Sequence, residues 1–217
     1  MRRAPLGAVA ARPRARHAGA LRLNCRLGDS AMGFLLLIAG LLLWSGAHLF
    51  KRLKPEARAA LGDRGRGLAA LGIGAGLVLM VLGYRSAPFI PLWWPPAAMT
   101  HATNLLVLLA FWFFALSMLP GLLSAKVRHK QLTGVKLWAT GHLLANGDLA
   151  AMTLFGGLLA WAVVTVIVIK RQAPEWERPG APSLKFDLLA FVIALGLYGA
   201  AAWVHTQLGV YPFPVVS

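Results

Sequence analysis

Two histidines, His48 and His142, sit in matching frames, Leu43-Trp44-Ser45-Gly46-Ala47-His48-Leu49 and Leu137-Trp138-Ala139-Thr140-Gly141-His142-Leu143. On a helix the tryptophan four residues earlier shares the imidazole's face, and the small residues between let a flat body or another helix approach closely. Histidine is a common haem-iron ligand, so two imidazoles at one depth, flanked by aromatics, suit axial ligation of a porphyrin. The same pattern also suits a proton relay or a structural pair that hydrogen-bonds neighbouring helices. Asn146, four residues after His142, shares its face. Asp148 reads as a proton-transfer or substrate-contact group, or alternatively as a helix cap or the ion-pair partner of Arg85.

These residues must be held by membrane helices. Of 217 residues, 58% are apolar and 13% charged, against roughly 45–50% and about 25% in a soluble domain. Residues 86–125 and 188–217 contain no Asp, Glu, Lys or Arg, and 32–50 and 149–169 are equally clean. Stretches of about 20 such residues span a bilayer. The apolar blocks are 32–50, 67–84, 99–123, 135–147, 149–169 and 186–208. One helix over 135–169 would run about 52 Å, too long for a core of about 30 Å. The Asn146-Gly147-Asp148 turn signal therefore divides it. The fold class is an all-α polytopic membrane bundle of about six transmembrane helices.

The net charge of +15 would suggest nucleic acid in a soluble protein. Here the cations lie between apolar blocks and orient helices instead, so nucleic acid is not an expected partner and the lipid bilayer is. Loops 51–66, 124–136 and 170–187 hold six, four and four Lys or Arg, while the alternate links hold only Arg85. That asymmetry places the three basic loops in the cytoplasm and both ends of the bundle outside. Counted from Lys51 and Lys136, His48 and His142 fall about 4.5 Å and about 9 Å from the inner boundary. His101 and His205 fall at the outer boundary, and His129 in a basic inner loop.

Residues 1–31 carry seven arginines and one acid, Asp29, without the apolar core of a signal peptide. They form an Arg-rich extension, expected to be disordered or to precede a true start at Met32, ahead of a membrane domain over 32–217. The lone cysteine, Cys25, lies in that extension, so the membrane body has neither an internal disulfide nor a thiolate ligand. Trp93-Trp94-Pro95-Pro96 and Tyr211-Pro212-Phe213-Pro214 read as interfacial anchors with rigid turns. Walker-type, G-x-G-x-x-G, G-x-S-x-G, H-E-x-x-H and C-x-x-C motifs do not occur, and the acids Glu175, Glu177 and Asp187 read as loop residues. No catalytic residue is assigned.

The run Leu132-Thr133-Gly134-Val135-Lys136-Leu137-Trp138-Ala139-Thr140-Gly141-His142-Leu143-Leu144-Ala145-Asn146-Gly147-Asp148-Leu149-Ala150, followed by Leu154-Phe155-Gly156-Gly157, resembles the signature of the NnrU family. Gly46-Ala47-His48-Leu49, and His205 followed by Gly209-Val210 and Pro212, extend the resemblance over Met32 to Ser217. The chain departs from the family's usual His-Pro in having His129-Lys130-Gln131. The resemblance implies a bacterial inner-membrane protein associated with denitrification, particularly nitrite and nitric oxide reduction, with the reductase machinery or a lipid-soluble substrate as partner.

The family is similar to plant 15-cis-zeta-carotene isomerase, a membrane haem b enzyme. That likeness implies haem b as cofactor and His48 and His142 as iron ligands; with haem so held, Trp44 and Trp138 would pack near the porphyrin and Asn146 would orient His142. Redox-linked exchange of one histidine would open a coordination site to nitric oxide or a lipid-soluble substrate. A polyene isomerase and a non-enzymatic transporter or assembly factor are the competing readings, since fold does not determine function.

Overall fold

Each apolar block becomes a helix because, in lipid, the backbone must satisfy its own hydrogen bonds. The computed structural model describes residues 15–178 and 182–213, with side chains from Ala31 onward. The described chain is α1 (Ala15–Leu53), α2 (Pro55–Ala60), α3 (Arg64–Ser86), α4 (Met99–Leu116), α5 (Lys130–Ala145), α6 (Leu149–Gln172) and α7 (Leu184–Gln207). Residues 1–14 of the Arg-rich extension lie outside the described residues, and the α1 backbone runs back to Ala15.

Five helical segments are long and apolar enough to cross a membrane: Ala31–Leu53, α3, α4, α6 and α7. The chain is thus a multi-pass helical membrane protein. The fourth expected block differs: α5 has 16 residues, about 24 Å of helix, and carries Lys130, Gln131 and Lys136. It packs against α4 and α6, so protein rather than lipid covers much of it and long apolar runs are not required. α4 also stops earlier than its block, at Leu116. Pro120 cannot donate an amide hydrogen to a continuing helix, and the Ser124 hydroxyl instead donates to the Leu116 carbonyl at 2.9 Å.

Helix neighbours run α3, α1, α6, α5, α4, α7. The first seam depends on glycine. A Cβ on Gly40 would stand 2.6 Å from the Met80 amide nitrogen, one on Gly76 2.8 Å from the Trp44 backbone, and one on Gly83 would collide with the Leu37 backbone. Their absence lets α1 and α3 touch along their backbones. Leu37, Leu41, Met80, Ala150 and Leu158 form the core across α1, α3 and α6, with Trp44 and Trp138 packed against it. Large apolar side chains such as Leu42, Leu71 and Val192 stay exposed around the bundle, as a lipid-facing surface requires.

The reversal between α5 and α6 falls at Asn146-Gly147-Asp148. Its backbone is held by the loop after α3: the Leu92 and Trp93 amides donate to the Gly147 carbonyl at 2.7 and 3.1 Å, and the Leu149 amide to the Ile90 carbonyl at 2.9 Å. A side chain at Gly147 would strike the Trp93 carbonyl. Asp148 is the N-cap of α6, its Oδ1 accepting from the Ala151 amide at 3.0 Å. The alternative partner is not engaged, because the one ion pair among the described residues is Arg66–Asp63.

Two stability outcomes follow from this packing. Gly83→Val wedges α1 from α3 and should cost about 1–3 kcal/mol, read as a lowered thermal midpoint in detergent; an unchanged midpoint would refute the tight seam. Asp148→Ala should cost about 1 kcal/mol while Asp148→Asn retains most of the stability. Equal losses in the two Asp148 variants would show that the cap is not what this carboxylate contributes.

Candidate functional site

The matching sequence frames become matching local structures. In each, the imidazole Nδ1 lies 2.9 Å from the tryptophan carbonyl one turn earlier, His48 on Trp44 and His142 on Trp138. A carbonyl only accepts, so Nδ1 carries the hydrogen, and the neutral ring keeps its lone pair on Nε2. This is the tautomer that presents Nε2 to a metal. His205 on α7 repeats it, with Nδ1 2.7 Å from the Ala201 carbonyl.

α6 supplies an aromatic neighbour to each ring. Trp44 and Trp161 flank His48, with ring centroids 4.0 and 5.1 Å from the imidazole and 4.4 Å from each other. Phe155 stacks on His142 at 4.5 Å, and Trp138 approaches at 5.0 Å. Sequence spacing alone did not find Trp161 and Phe155, because both come from a helix remote in sequence from one or both frames. A buried indole N–H is the signal in Trp161: its Nε1 has no hydrogen-bond partner.

The geometry corrects the expectation that His48 and His142 share one depth. α5 begins at Lys130, before Lys136, so His142 lies in the last turn, near Ala145. His48 lies near Leu53, where α1 ends, and Gln172 at the end of α6 donates to the Arg52 carbonyl at 2.7 Å. Trp161, which packs on His48, is nevertheless midway along α6, so the two rings are staggered along the bundle. Their α6 neighbours, Phe155 and Trp161, are about 9 Å apart along the helix axis.

Asn146 also has a different role from the one expected. Its Nδ2 donates to the His142 backbone carbonyl at 2.8 Å, closing the end of α5, while the Trp138 carbonyl orients the imidazole. At the same end, the Thr103 hydroxyl donates to the Gly141 carbonyl and the Asn104 amide to the Pro212 carbonyl, both at 2.9 Å. These bonds bring the ends of α5 and α7 to one turn of α4, and His205 comes within electrostatic reach of His142. His101 is exposed. Asp187, read as a loop residue, is in the first turn of α7 and 5% exposed. Its carboxylate accepts from the Leu123 amide at 3.2 Å, tying α7 to the turn after α4.

Both rings present Nε2 in the same tautomer, with their α6 neighbours about 9 Å apart along the helix. His48 differs from His142 in its surroundings. It lines a cavity of about 470 Å³ with Lys51, Arg52, Pro55 and Gln172, within the range of small-molecule sites. Lys51 and Arg52 give that cavity two cations, while Trp44 and Trp161 pack on the imidazole and the buried Trp161 N–H has no partner.

Comparison with known proteins agrees with this architecture. The NnrU protein family model matches residues 36–212, which contain both tryptophan–histidine frames and the reversal between α5 and α6. No curated protein and no solved structure matches the chain. By that match over most of its length, the chain belongs to the NnrU family.

Proposed function

We propose that this NnrU-family protein resides in the bacterial cytoplasmic membrane with its basic loops inside, supports nitrite and nitric oxide reduction, and binds haem b through His48. Family membership supports the nitrogen-oxide setting. The observation that carries the site is His48, its Nδ1 held by the Trp44 carbonyl, on a cavity bearing two cations. His142 is not given the second ligand's role in this reading, because its α6 neighbour Phe155 is about 9 Å along the helix from Trp161.

Held by His48, with Lys51 and Arg52 near its carboxylates, haem b would supply one-electron exchange and binding of a diatomic ligand. The chain's own residues provide the setting. The Trp44 carbonyl holds the proton on Nδ1 and strengthens Nε2 as a donor. Trp44 and Trp161 pack on the imidazole and fix its orientation, while Lys51 and Arg52 would pair with the carboxylates of a bound porphyrin.

Absorption spectra of detergent-purified protein, oxidised and dithionite-reduced, test this assignment. The native chain and His142→Ala should show a Soret band with b-type reduced maxima, and His48→Ala should lose them. Loss of the band in both folded variants would restore the two-ligand scheme and refute single-histidine ligation. A colourless native protein after haem-supplemented expression would favour the non-enzymatic accessory reading.

A further inference from the structure

The bundle end formed by the C-termini of α1 and α6 and the N-terminus of α5 gathers cations from separate parts of the chain. Arg128 reaches across to α6, donating to the Pro174 carbonyl at 3.1 Å and to the Ala173 carbonyl. Gln172 ties the same terminus to the Arg52 carbonyl. As a result Arg52, Arg128, Lys136 and Lys170 all lie within electrostatic reach of His129, the residue before α5. None of these cations has a carboxylate within ion-pair distance, since the one such pair among the described residues is Arg66–Asp63.

At the centre, His129 Nε2 is buried without a hydrogen-bond partner. Burial, followed by the fields of Arg128, Lys170, Lys136 and Arg52, holds this imidazole below its ordinary pKa. An orphaned buried polar atom is unfavourable, and so is a ring of unneutralised cations. A single anion with several acceptor oxygens would neutralise the cations and supply the acceptors missing from this end of the bundle. Phosphate suits a group of donors contributed by α1, the loop before α5, α5 and α6, because its oxygens diverge towards different sides.

We propose that Arg52, Arg128, Lys136 and Lys170 around His129 form a binding site for a phosphate-bearing anion. The position at the helix ends suits the headgroup of an anionic phospholipid, and free phosphate has the same recognition chemistry. Arg52 also lines the cavity beside His48, whereas Lys136 and Lys170, the residues changed in the test, do not.

The test is tryptophan-fluorescence melting of the full chain in detergent, titrated with dioleoylphosphatidylglycerol, dioleoylphosphatidylcholine or sodium phosphate. Phosphatidylglycerol should raise the melting midpoint and phosphatidylcholine should not. The double variant K136Q/K170Q should weaken half-saturation roughly tenfold or more, while R64Q/R66Q, which removes the same charge from the start of α3, should leave it unchanged. A matching shift with sodium phosphate would identify the free ion as a ligand; a shift with phosphatidylglycerol alone would identify the lipid. Equal responses to both lipids with none to phosphate, or equal weakening in R64Q/R66Q, would overturn the proposal. Should K136Q/K170Q fail to fold, the exposed single variant K170Q carries the same comparison, with weakening expected and an unchanged titration refuting the site.

Discussion

The reversal at Asn146-Gly147-Asp148 determines where the rest of the site can be. Gly147 accepts two amides from the loop after α3 in a space that excludes a Cβ, and Asp148 caps α6 immediately afterwards. These interactions turn a long apolar stretch into two antiparallel helices. They also set the register between α5 and α6, which puts Phe155 against His142 and leaves Trp161, farther along α6, for His48.

Within the bundle, polar side chains are satisfied mainly by backbone carbonyls of their own helices. His48, His142 and His205 each bond the carbonyl four residues earlier, as do Thr153 and Thr165. In a low-dielectric interior this removes the cost of an unmet donor without a second charged group. For histidine it also determines the tautomer, so the bond that makes an imidazole tolerable in the membrane leaves its other nitrogen available to a ligand. A tryptophan at that carbonyl position adds an aromatic wall, which is the difference between the two matched frames and His205, where the carbonyl belongs to Ala201.

Much of the architecture was legible because charge-free apolar blocks and the Asn-Gly turn are strong local signals. The role of Asp148 was also within reach, since an acid just before a helix caps it. The depth of His142 was not legible. Lys136 looks like a membrane boundary in sequence, yet α5 starts at Lys130, and a lysine can occupy a helix interior when its long side chain carries the ammonium towards a polar end. Trp161, Phe155 and Asp187 act on partners brought together by tertiary packing, so no spacing rule pointed to them. Asn146 has the expected proximity to His142 but bonds its backbone, a distinction of rotamer that periodicity does not contain.

The shortness of α5 links these features. A lipid-facing helix of 16 residues would fall short of a hydrocarbon core of about 30 Å, but α4 and α6 shelter it, allowing glycine, lysine and histidine where an outer helix carries leucine and valine. Its first turn can then lie among the cations of one end, while its last turn carries His142 towards the other. α6 runs beside it with a separate aromatic partner for each histidine. The bundle thereby keeps two imidazoles in similar chemical states at different depths, one next to a basic cavity and one beside the junction of α4, α5 and α7. Equivalence of local sequence does not make the two positions equivalent in function: the helix register gives them different surroundings.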